Sequence, residues 1–148
     1  MATIRDEILS GPLAAELADH VSAGNDGAIA DALNRTRYPA VGSVSRARFA
    51  IWAAAGPRAA IEDNAANPAS PLRASALTLK DFLTGAADSL DLGDQSVAAM
   101  LSRWLAAGAI NQVQHDQLIA LGAVEISRAE QAGIPFVTAA GVAQALRG

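Results

Sequence analysis

Residues 94–108 have the sequence DQSVAAMLSRWLAAG, in which large apolar side chains recur at the spacing of one face of an α-helix. They follow the pattern i, i+3, i+4, i+7, i+8 and are Val97, Met100, Leu101, Trp104 and Leu105. Asp94 precedes the pattern as a candidate N-cap, and Gly108 follows it as a candidate helix stop. This stretch therefore predicts an amphipathic helix whose apolar face packs into a hydrophobic core.

Similar helix start and stop signals occur along the rest of the chain. Glycine follows alanine where helical periodicity ends at Ala23-Gly24, Ala55-Gly56, Ala107-Gly108 and Ala132-Gly133. Because glycine adopts the left-handed conformation without steric cost, each pair predicts a helix stop. Helix starts are predicted at the first-turn prolines Pro12, Pro57 and Pro71 and at the N-cap candidates Asp26, Asp94, Asn111 and Thr138. With abundant alanine and 4% aromatic residues, the chain is predicted to be all-α: a compact bundle of about eight short to medium helices with essentially no sheet.

A longer apolar pattern follows the segment Asn67–Pro71. Spacings of four and three relate Leu72, Ala76, Leu79, Leu83, Ala86 and Leu90. This heptad pattern predicts a central helix that stops near Ala87. The length of 148 residues predicts one helical domain over 1–148, with 67–71 as the candidate internal break because its two prolines do not fit inside one helix. The predicted core contains Leu17, Trp52, Leu79, Leu83, Leu101, Trp104 and Leu118.

The composition excludes several chemistries. The sequence has no cysteine, so disulfides, cysteine nucleophiles and zinc–thiolate sites are excluded. The net charge of −4 gives no general attraction for nucleic acid or for an anionic membrane, and no apolar stretch reaches the roughly 18–20 residues of a membrane span. The N-terminal residues do not resemble a signal peptide.

Motifs for catalysis or metal binding are also missing. His20 and His115 lie too far apart in sequence to form a helical metal-binding pair, and no glycine-rich phosphate loop occurs. A helix-turn-helix at 127–147 is rejected because its second helix has almost no side chain that could read a base edge. The expectation is a chain with no catalytic residues, no cofactor and no metal site.

One charge asymmetry suggests a contact surface. Residues 35–58 contain five arginines and neither aspartate nor glutamate. Arginine and aromatic residues are enriched in interface hot spots, so the candidate partner-binding residues are Arg35, Arg37, Tyr38, Arg46 and Arg48. Two alternatives remain open: a solvated basic face that balances the acidic helices, or a docking surface. The target of such a surface is the acidic face of another protein or of a second copy, with phosphate as the competing target.

Three segments carry a resemblance to a known group of proteins. GPLAAEL at 11–17, GNDGAIA at 24–30 and SRAEQ at 127–131 resemble small alanine-rich helical proteins encoded among the structural genes of tailed bacteriophages. The resemblance implies a non-enzymatic virion or tail-assembly protein that acts through contacts with other phage structural proteins or with copies of itself. Its location would be the virion and, during assembly, the host cytoplasm. The alternative is a small phage protein that binds and inhibits a host factor, and an enzyme is the third reading.

Overall fold

The computed structural model describes residues 2–148, and helices account for 62% of the chain. Over that range there are ten helices: α1 Ile4–Ser10, α2 Ala14–Ala23, α3 Asp26–Asn34, α4 Arg46–Ala54, α5 Pro57–Ala66, α6 Arg73–Leu83, α7 Gln95–Ala106, α8 Gln112–Leu121, α9 Arg128–Gln131 and α10 Ala139–Arg147. Four short strands accompany them: β1 Thr36–Val41, β2 Ser43–Ser45, β3 Ser89–Asp91 and β4 Ala123–Ser127. The mainly helical prediction is confirmed, but the expectation of essentially no sheet is wrong.

The chain divides into two compact units, each with its own hydrophobic core. The first unit runs up to Pro39 and continues from Glu125 to Gly148, and the second is Ala40–Val124. The break expected at 67–71 lies inside the second unit, where α5 and α6 on either side of it pack against each other. That residues 1–148 form a single domain stays a prediction.

The core of the first unit lies among α1, α2, α3, α9 and α10. Its buried apolar side chains are Ile8, Leu13, Leu17, Ile29, Ala30, Ala32, Leu33, Ala129, Val137 and Val142. An ion pair closes this unit between helices that are distant in sequence. Arg128 on α9 donates from Nε to Oε2 of Glu7 on α1 at 2.7 Å and from Nη2 to Oε1 at 2.8 Å. Glu7 is buried, so this ion pair links α9 to α1 at a site that is largely shielded from solvent.

The core of the second unit is aromatic at its centre. The Phe49 ring lies 5.2 Å from the rings of both Trp52 and Phe82. Trp104 on α7 is also buried and donates from Nε1 to the hydroxyl of Ser75 at 2.8 Å.

Six of the seven predicted core residues are buried: Leu17, Trp52, Leu79, Leu101, Trp104 and Leu118. The seventh, Leu83, is partly buried.

The heptad pattern overestimates the length of the central helix, which was predicted to stop near Ala87. The helix α6 ends at Leu83, and Gly85 follows with φ of 108°, a left-handed conformation that interrupts the helix at no steric cost. Leu90, the last residue of the pattern, belongs to strand β3 and pairs antiparallel with Val44 of β2. Val44 is buried in the core of this unit, so the short strand is held by packing of its central side chain.

The other two strands also lie where no strand was predicted. Strands β1 and β4 pair in a two-stranded sheet, and the unit boundaries fall within them. Strand β4 lies directly before α9, which begins at Arg128 and is capped by Ser127. The β-branched Val124 and Ile126 alternate with shorter or charged neighbours, as strands favour.

Most of the predicted helix ends are confirmed. Gly24, Gly108 and Gly133 follow helices with φ of 65–73°. Gly56 differs: its φ is 163°, an extended conformation, and it is the N-cap of α5. Asp94, Asn111 and Thr138 are N-caps in the structure, as predicted. Helix α3 is capped by Asn25 rather than by the predicted Asp26. None of the described helices combines the length and the apolar character that crossing a bilayer requires.

Candidate protein-binding site

The five candidate partner-binding residues divide between the two units. Arg35, Arg37 and Tyr38 belong to the first unit, and Arg46 and Arg48 belong to the second. Arg35 and Arg48 are exposed, and the other three are half-buried. The structure therefore does not bring the five residues together within one unit.

Arg37 forms an ion pair with Glu16 within its own unit. Its Nη1 donates to Oε2 of Glu16 at 2.8 Å, and its Nη2 donates to Oε1 at 3.2 Å and to the carbonyl oxygen of Ala32 at 3.2 Å. This pair joins β1 to helix α2 across 21 residues of sequence. Arg37 is thus a structural residue of the first unit, and its guanidinium is largely occupied before any partner binds.

The Arg37–Glu16 pair predicts a pH dependence of stability. The hydrogen bond from Arg37, reinforced by its charge, lowers the pKa of the Glu16 carboxyl. Such a carboxyl contributes stability above its unfolded pKa, and the contribution is lost as the pH falls through the lower folded pKa. We expect Arg37→Gln to lower the free energy of unfolding at neutral pH and to approach wild type in acid, measured by denaturant titration.

The control for that measurement is Arg35→Gln, which removes an exposed arginine without a hydrogen bond to Glu16. It should change the pH dependence much less than Arg37→Gln. If the two variants had the same pH dependence, the Glu16 carboxyl would owe its lowered pKa to general charge rather than to this pair.

Arg46 is also used within its unit. Its backbone N–H donates to the carbonyl oxygen of Asp88 at 2.9 Å, next to the β2–β3 pair. Its Nη1 lies 3.5 Å from the carbonyl oxygen of Ala87, and a Cβ added to Gly85 would lie 3.0 Å from the same nitrogen. Arg46 therefore covers the turn that ends α6.

Arg48 borders an open apolar groove on the surface of the second unit. Helix α4 and its C-cap contribute Arg48, Ile51, Trp52 and Ala55, which are the i, i+3, i+4 and i+7 positions of one face. Helix α8 contributes Gln117, Ala120 and Leu121. The groove has a volume of about 470 Å³, and its walls are nearly all apolar.

The two helices are held in place beneath the groove. Trp52 donates from Nε1 to the carbonyl oxygen of Gln114 on α8 at 2.8 Å, which satisfies the polar end of the indole. The rest of Trp52 packs on Phe49 in the core, so only 8% of the residue is exposed. Ile51, which lines the groove beside Trp52, is 74% exposed.

The first unit also presents a large apolar side chain to solvent. Phe136 lies in the segment between α9 and α10 and is 80% exposed, whereas the next residue, Val137, is buried. The side-chain amide of Asn34 holds this segment: it donates to the carbonyl oxygen of Val137 at 2.7 Å and accepts from the Val137 N–H at 3.0 Å. Phe136 thus projects from an anchored backbone.

Neither Ile51 nor Phe136 was among the candidate residues predicted from the sequence. A signal was present for each. Ile51 is a large aliphatic residue outside the stripe of Phe49, Trp52 and Ala53 on α4, and three large apolar residues surround Pro135 in a segment too short to bury them all. A search for apolar residues that the predicted core does not use would have found them.

The titratable groups show no convergent arrangement among residues 2–148. Within that range no group of three or more His, Asp or Glu side chains is placed to hold a metal ion. Hydrogen bonds from local partners lower the pKa of Asp6, next to Thr3, and of Asp116, next to Gln112 and His115. These shifts come from helix-terminal and helix-surface contacts.

Comparisons of the chain with protein-family models, with curated proteins and with solved structures found no match.

Proposed function

We propose that this chain is a non-enzymatic protein that acts through protein–protein contacts, as a component of a bacteriophage virion or of its tail assembly. The observation that carries the proposal is the exposure of large apolar side chains on firmly held elements, with Phe136 80% and Ile51 74% exposed. Burying such a side chain fully is worth about 1.5–3 kcal/mol, so a partner that covers them gains binding energy.

The groove on α4 and α8 supports the same proposal. Interfaces are built around apolar anchors that enter pockets, with polar groups at the rim. Here Trp52 and Leu121 form apolar walls, and Arg48 is the charged residue at the edge. We also propose that the helices form the compact bundle expected from the sequence. The radius of gyration in solution tests this, since a compact bundle gives a small value.

The virion assignment rests on the resemblance at 11–17, 24–30 and 127–131. It implies other phage structural proteins or copies of this chain as partners, a location in the virion, and presence in the host cytoplasm during assembly. Virion proteins form repeated contacts between identical surfaces, and a chain with 18% charged residues can bury lightly charged faces in this way.

Deleting the gene from the phage that encodes it tests the function. We expect the wild-type chain to be found in purified particles by quantitative mass spectrometry, or incomplete particles to accumulate in the deletion strain. Complementation with Ile51→Glu should fail, whereas Ala54→Glu should restore assembly, since Ala54 is exposed on the same helix outside the groove. Normal particle formation without the chain would contradict the proposal, and synthesis before the structural genes would favour inhibition of a host factor.

A further inference from the structure

Helix α4 is largely apolar on the side that faces solvent as well as on the side that faces the core. Its outward face consists of five exposed residues, Ala47, Arg48, Ile51, Ala54 and the C-cap Ala55. A surface helix normally carries a polar outward face, whereas a helix that is apolar all round is buried in its working state. Ile51, the largest apolar side chain of the outward face, is 74% exposed.

The charges of α4 are distributed unequally between its two ends. Arg46 and Arg48 lie in the first turn, which has no acidic residue, and the last turn has no basic residue. The helix dipole disfavours a cation at the N-terminus and favours one at the C-terminus. Arg48 forms no ion pair with any residue of 2–148, and Arg58, the next cation along the chain, is paired with Glu62. Helix α4 therefore has an unpaired cation at its positive end and none at its negative end.

We propose that the outward face of α4 is a contact surface between two copies of this chain, which pack their α4 helices antiparallel about a two-fold axis at Ile51. In this arrangement the two Ile51 side chains meet, and Ala47 of each copy lies opposite Ala55 of the other. Arg48 of each copy lies opposite Ala54, in the last turn of the other helix. This inference rests on the proposed function and names a second copy as the partner.

The charge pattern of α4 favours a second copy over another partner. In the antiparallel pair each Arg48 moves to the negative end of the other helix, where the dipole favours a cation. A partner with an acidic face would match Arg48 alone, whereas a second copy matches both ends of the helix at once. The whole argument lies on one helix, so the spacing of the charges along it is fixed by helix geometry.

The side chains of the outward face fit the same arrangement. Ala47, Ile51 and Ala54 follow spacings of four and three, as in the seam of helices that pack along their length. The alanines on either side of Ile51 allow the two helices to approach closely. Ile51 also borders the α4–α8 groove, so the groove leaves space for the Ile51 side chain of the other copy.

Such a contact is isologous, because both copies use the same surface, and association therefore stops at a dimer. Helix α4 has nine residues and buries a small area, so the dimer is weak and its population rises with protein concentration. The sequence contains no cysteine, which allows single introduced cysteines to report which residues meet.

The first experiment tests the register of the two helices. On mild oxidation, Ile51→Cys should form a disulfide-linked dimer faster than Ala59→Cys, an exposed control on α5. Ala47→Cys alone should not exceed that control, because its two copies lie about 12 Å apart along the helix axes, at 1.5 Å per residue. An equimolar mixture of Ala47→Cys and Ala55→Cys should give mainly the mixed dimer, identified by mass spectrometry.

The second experiment tests the charges by sedimentation. Arg48→Gln should raise the dissociation constant of the dimer roughly 3- to 30-fold, since each of its two symmetric contacts with a helix C-terminus contributes about 0.3–1 kcal/mol. Ala54→Lys should weaken the dimer, because the added cation faces Arg48 of the other copy, whereas Ala54→Glu should strengthen it. The double variant Arg48→Glu with Ala54→Lys should dimerise better than either single variant. Circular dichroism should show unchanged helix content throughout.

Three results would overturn the inference. One is a wild type that stays monomeric at its highest soluble concentration. Another is faster cross-linking of Ala47→Cys with itself than with Ala55→Cys, which would indicate parallel helices. The third is a dissociation constant that Arg48→Gln and Ala54→Glu leave unchanged. A monomeric protein that is nevertheless present in virions would overturn the contact between copies and leave the proposed function standing.

Discussion

Trp104→Ala is expected to lower the free energy of unfolding by about 3–5 kcal/mol, the range observed when a fully packed aromatic side chain is removed. Trp104 is 2% exposed, and its loss would leave a cavity between α6 and α7 and remove the hydrogen bond that the Ser75 hydroxyl accepts. Denaturant titration followed by circular dichroism measures the change. Trp52 is then the remaining tryptophan, and its fluorescence reports on the second unit separately.

The matched variant Trp104→Phe separates the two contributions of the side chain. It keeps most of the apolar volume but removes the hydrogen bond to Ser75, so its loss should be clearly smaller than that of Trp104→Ala. A loss below about 1 kcal/mol for Trp104→Ala would show that the site is not packed as a core site is.

The second large effect is expected for Arg128→Met in the first unit. Removing one partner of a buried ion pair costs about 3–5 kcal/mol, because the other charge stays buried without compensation. The side chain of Glu7 is 6% exposed and that of Arg128 is 19% exposed, so solvent replaces the lost contact poorly. The free energy of unfolding of the variant, measured by circular dichroism, should fall accordingly.

The double variant Glu7→Met with Arg128→Met is the control for that prediction. Replacing both charges by apolar side chains of similar length removes the uncompensated carboxylate, so the double variant should be more stable than Arg128→Met alone. If the double variant were as unstable as the single variant, the loss would arise from packing rather than from a buried charge.

The helices were predictable because their signals are local. In α7 the spacing of Val97, Leu101 and Trp104 and the cap at Asp94 lie within a few turns of one another, so one sequence window contains the evidence. The strand pair of β2 and β3 has three residues on each side, and the stability of each strand depends on a partner about 45 residues away. No local pattern predicts such a pairing.

The candidate site was predictable only in part. The excess of arginine in 35–58 was visible, and Arg48 does border the groove. The ion pair of Arg37 with Glu16 was not visible, since charge alone does not show which arginine is already paired. Ile51 was not predicted because it lies outside the buried stripe of α4, although it is next to Trp52 in the groove lining.

Most helix ends, most of the core side chains and the chemistries that the absence of cysteine excludes could be read from the sequence, because they follow from periodicity, capping preference and composition. The pairing of β2 with β3, the ion pair of Glu7 with Arg128 and the groove beside Trp52 appear only in the folded chain. The physical reason is that each of these depends on contacts between segments far apart in the chain, whose energy exists only once the chain has folded.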